Sequence, residues 1–124
     1  MPATLDLAPA PTRDEAAAQS LAPFPGARRP DRRRTVDASG VSLCVWEWGD
    51  PDAPPVLFAH GGFDFAETLN VFAPLLVAHG WRVVSWDHRG HGHSAWADLY
   101  SWEADLRDAA TVLESIGPAP LPMM

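Results

Sequence analysis

Apolar and polar positions along the chain change period several times, and each change marks an element. "TVDASG" and "VSLCVWEWG" alternate with a period of two and flank Ser39-Gly40, the signature of a hairpin. In the second strand Cys44, Trp46 and Trp48 fall on one face. "GDPDAPP" is a turn-rich connection, and "VLFAH" (56–60) is a short run without alternation, as expected of a strand buried on both faces. A helix is expected around "NVFAPLLVAHG", with Asn70 as N-cap, Pro74 in the first turn and Gly80 as the stop. "WRVVSWD" is a second continuously apolar strand. "SWEADLRDAATVLESIG" has helical period, with Ser101 as cap, Gly117 as end and an apolar stripe of Trp102, Leu106, Ala109, Leu113 and Ile116. "PLPMM" opens another apolar segment. Strands that alternate with helices and are buried on both faces predict an α/β architecture with a parallel sheet.

Residues 1–33 break this pattern. They are rich in Ala, Pro and Arg and poor in large apolar side chains, and they read as a disordered arm ahead of a domain over 34–124. Thr12 to Glu15 fits a capping box for a short helix that is marginal in water. The cluster Arg28, Arg29, Arg32, Arg33 and Arg34 is interrupted by Asp31 and has no aromatic interleaving, so it reads as a solvated charge run. Arg28-Arg29 is not followed by the apolar region that a twin-arginine export signal needs.

Composition narrows the function. The 124 residues carry 9 Lys+Arg, all arginine, against 16 Asp+Glu, a formal charge of -7. Such an acidic chain is poorly suited to neutralising phosphates, so nucleic acid is not an expected partner. No apolar run approaches the roughly 20 residues of a membrane span, so no membrane is expected. The single cysteine, Cys44, forbids an intrachain disulfide and points to a reducing, cytoplasmic setting. As a lone strand residue it reads as a packed hydrophobe, not a nucleophile.

In parallel sheets the chemistry gathers at the carboxyl ends of strands. Two such ends stand out: His60-Gly61-Gly62-Phe63, and "DHRGHGHS" from Asp87 to Ser94. The second places three histidines in six residues, a density that also invites a metal reading. Together and in this order the two motifs resemble the α/β-hydrolase family. It carries a His-Gly-x loop after its third strand and an Asp-x-Arg-Gly-x-Gly-x-Ser turn after its fourth. Asp87, Arg89, Gly90, Gly92 and Ser94 match every defined position of that turn.

The resemblance runs from about residue 35 to the end. It implies the N-terminal part of a hydrolase sheet, an antiparallel hairpin followed by parallel strands with crossover helices, stopping near the fifth strand. It gives Gly62, the x of His-Gly-x, the role of an oxyanion-hole backbone donor, and it puts Phe63 beside the pocket. His60 and Gly61 then shape the loop. In the second turn Asp87 accepts backbone N–H groups, Arg89 pairs with a carboxylate or carbonyls, Gly90 and Gly92 take positive φ, and Ser94 ties the exit. The histidines between them are incidental on this reading, which implies neither metal nor cofactor.

The family's nucleophile sits in a Gly-x-Ser-x-Gly elbow, followed by an acid and a histidine base. No such run occurs in these residues, so nucleophile, acid and base are not present. The resemblance therefore implies a fragment of a hydrolase acting on a small ester or related bond, inactive by itself. Phe63 stands where epoxide hydrolases and haloalkane dehalogenases usually carry Pro, which favours a serine nucleophile and an ester. The alternative is a non-catalytic binding module built on a partial hydrolase sheet. Either way, an exposed sheet edge is expected to favour self-association.

Overall fold

A computed structural model describes residues 26–117. The first 25 residues of the arm and the "PLPMM" segment lie outside the described residues. The elements are β1 (Arg32–Ala38), β2 (Val41–Trp48), β3 (Pro55–Ala59), a 3-10 turn (Ala66–Asn70), α1 (Ala73–Ala78), β4 (Arg82–Trp86) and α2 (Trp102–Ile116).

The four strands form one sheet in the order β1-β2-β4-β3. β2 runs antiparallel to both β1 and β4, while β3 and β4 are parallel with Ala59 opposite Trp86. The crossover from β3 to β4 carries α1. One face buries Val36, Leu43, Val45, Leu57, Val84 and Trp86 against Ala109 and Val112 of α2. The other buries Cys44, Trp46, Trp48, Val56 and Val83 against Ala66 and Ala73. Because both faces are covered, β4 needs apolar residues at successive positions, which is why its pattern does not alternate. Ser85 is the polar exception, and its hydroxyl donates to the Phe58 carbonyl at 2.8 Å.

Three expectations are corrected. The helix expected from Asn70 is split in two. Asn70 is buried at the end of the 3-10 turn, and α1 starts after Phe72 with no side-chain cap. Pro74 does sit in the first turn of α1, and Gly80 takes φ 88° at its end. In α2, Ser101 accepts from the Ala104 N–H at 3.2 Å as an N-cap should, and Gly117 is the C-cap. The buried face, however, runs through Ala104, Asp108, Ala109 and Val112, leaving Trp102 81% and Leu106 65% exposed. A hydrophobicity pattern assigns Asp108 to solvent. The fold turns it inward to meet Arg89, and the helix face rotates with it.

The third correction concerns the arginine run. β1 begins at Arg32, ahead of residue 34, and the Arg28 N–H already donates to the Asn70 carbonyl at 2.7 Å. Strand alternation then sorts the run. Arg32 and Arg34 turn towards Glu47, which is buried among three guanidinium groups: Arg34 at 2.9 Å, Arg82 at 3.1 Å and Arg32 at 3.6 Å. A lone buried carboxylate would be costly, and this clustering offsets the cost.

Candidate active site

Parallel pairing brings the carboxyl ends of β3 and β4 to the same edge of the sheet, so His60–Phe63 and Asp87–Ser94 stand side by side. Asp87 organises the junction. Its carboxylate is almost fully buried and accepts three N–H groups: the Trp46 indole at 2.9 Å, the Ala66 amide at 2.8 Å and the His93 amide at 3.0 Å. Those donors come from β2, from the 3-10 turn after the glycine loop and from its own turn. A carboxylate bonded in this way fixes three elements at once.

The rest of the turn is equally constrained. Arg89 holds Asp108 of α2 with two hydrogen bonds, at 2.7 and 2.8 Å, and donates to the Leu99 carbonyl at 2.8 Å. The hydrogen bond to the Asp108 carboxylate raises the Arg89 pKa, against the opposing effect of burial. The Ser94 hydroxyl donates to the Asp87 carbonyl and accepts the Cys44 N–H at 2.9 Å. Gly90 and Gly92 take φ 72° and 47°. A Cβ on Gly92 would meet the Asp87 carboxyl carbon at 2.4 Å, so this position requires glycine for space as well as for φ.

The histidines are less incidental than the motif implies. His60 Nε2 accepts the His88 amide at 2.9 Å, which puts its proton on Nδ1, facing the Gly61 carbonyl at 2.6 Å. His91 repeats the arrangement. Its Nε2 accepts the Phe63 amide at 3.3 Å, and its Nδ1 faces the Arg89 carbonyl at 2.9 Å. The two imidazoles thus tie the glycine loop to the neighbouring turn from both directions. Phe63 itself takes φ 60°, an uncommon conformation for a residue with a side chain, and that side chain is fully exposed. Gly62 sits between these ties, and its N–H donates to no group among the described residues.

His88 lies between the rings of His60 and Trp86, with centroids 3.9 and 5.1 Å away. Burial, then the neighbouring His60, push its pKa down to about 4, so it is neutral at physiological pH. His93 points elsewhere, edge-on to Trp46 at 5.3 Å. Among the described residues no group of three His, Cys, Asp or Glu side chains is placed to hold a metal ion. Cys44 is buried, and burial followed by the Asp87 charge pushes its pKa up to about 12. A thiol so far from ionisation is no nucleophile.

Sequence reasoning missed Asp108, the Trp46 indole and the bridging role of His91. An aspartate in the middle of a helix that also carries an apolar stripe is the one signal that could have flagged Asp108. Pairings of Trp46 with Asp87 and of His91 with Phe63 span 41 and 28 residues and leave no local trace.

A hydrophobic sheet of this order, with paired glycine loops at the ends of adjacent parallel strands, defines a class. Residues 50–121, more than half of the chain, match the family described as serine aminopeptidase, S33. Epoxide hydrolase A of Mycobacterium tuberculosis is 42% identical over 62 residues, covering 50% of this chain and 19% of that protein. The bifunctional esterase/perhydrolase DCH of Acinetobacter calcoaceticus is 34% identical over 80 residues, covering 63% of this chain and 29% of that protein. Among solved structures, the thioesterase domain from the curacin biosynthetic pathway superposes with a TM-score of 0.70 at 30% identity, over 73% of this chain and 35% of that one. The chain belongs to the α/β-hydrolase family. It spans less than a third of the length of these two curated relatives. Among the described residues no helix is long and apolar enough to cross a membrane.

Proposed function

We propose that this chain supplies the oxyanion-binding half of an α/β-fold hydrolase acting on a small ester or related bond. The observation that carries the proposal is the glycine loop. Its two flanks are tied to the Asp87–Ser94 turn through His60 and His91, and the Gly62 N–H between them has no partner among the described residues. A donor held in place before the reaction stabilises charge that develops on a carbonyl oxygen, by roughly 3–4 kcal/mol in a water-excluded site.

In this reading a nucleophile attacks the carbonyl carbon, the π electrons move to oxygen, and that oxygen accepts the Gly62 N–H. No Gly-x-Ser-x-Gly run occurs in the 124 residues, so nucleophile, base and orienting acid come from another segment. A serine nucleophile is favoured by Phe63 in place of Pro. The matched proteins named as epoxide hydrolase and as esterase make both substrates worth assaying. Phe63, exposed beside Gly62, belongs at the rim of the substrate pocket. The unpaired thiol fits a cytoplasmic protein. The outer edge of β3, paired only with β4 among the described residues, is where self-association would occur.

A chimera provides the test: this chain replaces the matching segment of the Acinetobacter esterase/perhydrolase, and a nitrophenyl ester and an epoxide are assayed. We expect ester turnover by the chimera and none by the chain alone. Gly62→Ala keeps the N–H, and its Cβ would meet nothing within 4 Å, so it should retain activity. Gly62→Pro removes the N–H and should lower kcat about 100- to 1000-fold. A folded chimera indifferent to Gly62→Pro would refute the oxyanion role and favour the non-catalytic binding module.

A further inference from the structure

The same alternation that turns Arg32 and Arg34 towards Glu47 sends Arg33 to the opposite face of β1. There Arg33 and Thr35 stand beside Ser42, Cys44 and Trp46 of the paired strand β2. This face is only partly covered. Two adjoining recesses, of about 300 and 240 Å³, lie over it and share Arg33 and His93. Arg29 and Glu67 wall the larger one, while Thr35 and Ser42 line the smaller.

We propose that this joined recess binds a small free phosphate group, as inorganic phosphate or a phosphate monoester. Two guanidinium groups, Arg29 and Arg33, face the Glu67 carboxylate there, while the Asp87 carboxylate behind Trp46 and His93 is already taken up by three N–H donors. Neither Arg29 nor Arg33 forms an ion pair or donates a side-chain hydrogen bond among the described residues, unlike Arg28, Arg32 and Arg34. The hydroxyls of Thr35 and Ser42 likewise donate to no described group and add neutral donors to the floor. Guanidinium groups suit the several oxygens of a phosphate, since each offers a planar fork of N–H donors. The recess is small and walled by Trp46 and Glu67, which suits a compact anion better than a polyanion. It also adjoins the candidate active site. His93 forms one wall, and its amide is one of the three donors to Asp87. An anion held here therefore touches the turn that positions the glycine loop. This inference does not depend on the proposed hydrolase activity.

The test is a titration of the full ¹⁵N-labelled chain with inorganic phosphate at constant ionic strength, read by amide, arginine and indole NMR signals. The expected result is a saturable shift confined to Arg29, Arg33, Thr35, Ser42, the Trp46 indole and His93. Arg33→Gln and Arg29→Gln, both at exposed positions, should each weaken binding about tenfold, the loss of one charge-assisted hydrogen bond. Arg107→Gln, on α2 and away from the recess, should change nothing. Parallel titrations with acetate and with anionic lipid vesicles should give weaker responses. A non-saturable response, equal effects of Arg33→Gln and Arg107→Gln, or tighter binding of acetate or vesicles would overturn the assignment.

Discussion

Replacing Gly92 with alanine puts a methyl group where the Asp87 carboxyl group stands. Two costs follow, and the structure separates them. The first is conformational. At φ 47° a residue with a Cβ is strained, at about 1 kcal/mol. The second is steric. The new Cβ would lie 2.4 to 2.7 Å from three atoms of the Asp87 carboxylate, so that group must move. It accepts N–H groups from Trp46, Ala66 and His93, and each hydrogen bond to a buried charge contributes about 1.5–3 kcal/mol. Losing one of the three brings the total to about 2.5–4 kcal/mol, a large share of the roughly 5–15 kcal/mol available to a typical domain. Gly40→Ala is the control. Its φ is 89° but a Cβ there would meet nothing within 4 Å, so it should cost only the conformational part, about 1 kcal/mol. Urea unfolding of the three proteins gives the energies, and the Trp46 indole N–H signal reports the Asp87 bond directly. If Gly92→Ala costs no more than Gly40→Ala and leaves the indole signal unshifted, the central role assigned to Asp87 is wrong.

Asp108→Asn leaves the buried Arg89 guanidinium without its carboxylate partner and should destabilise by about 3 kcal/mol in the same unfolding assay, whereas Glu114→Gln at an exposed position of that helix should be nearly silent. His88 should titrate by NMR near pH 4. Its folded pKa lies below the unfolded value of 6.5, so the unfolded chain binds the proton first. Its stabilising contribution is full above pH 6.5 and is lost as pH falls towards 4, by roughly 1–2 kcal/mol once partial solvent exposure is discounted. A midpoint near 6.5 would contradict the burial of His88 between His60 and Trp86. Cys44 should react only slowly with a thiol-specific disulfide reagent at neutral pH, since burial and then the Asp87 charge keep its thiol protonated, and rapid labelling of the native chain would contradict that.

The two glycine motifs and the strand and helix periods were legible in the sequence because each is a local property. A turn that needs positive φ selects glycine at that residue, and a strand covered on both faces selects apolar residues at successive positions. The order β1-β2-β4-β3 was not legible, since it depends on how the crossover through α1 folds back. The face of α2 was misread for a related reason. Periodicity ranks residues by hydrophobicity, and only the tertiary fold brings Arg89 within 2.7 Å of Asp108 and makes a carboxylate the inward-facing group. The arginine run shows both sides. Alternation along β1 is written in the sequence, but which side is buried depends on Glu47, thirteen residues from Arg34 and adjacent only after the hairpin closes. At the candidate site the sequence determined which residues form the glycine loop and the turn. Tertiary structure alone decided that His60 accepts the His88 amide and His91 the Phe63 amide, because those bonds span 28 residues and form only when β3 and β4 pair in parallel.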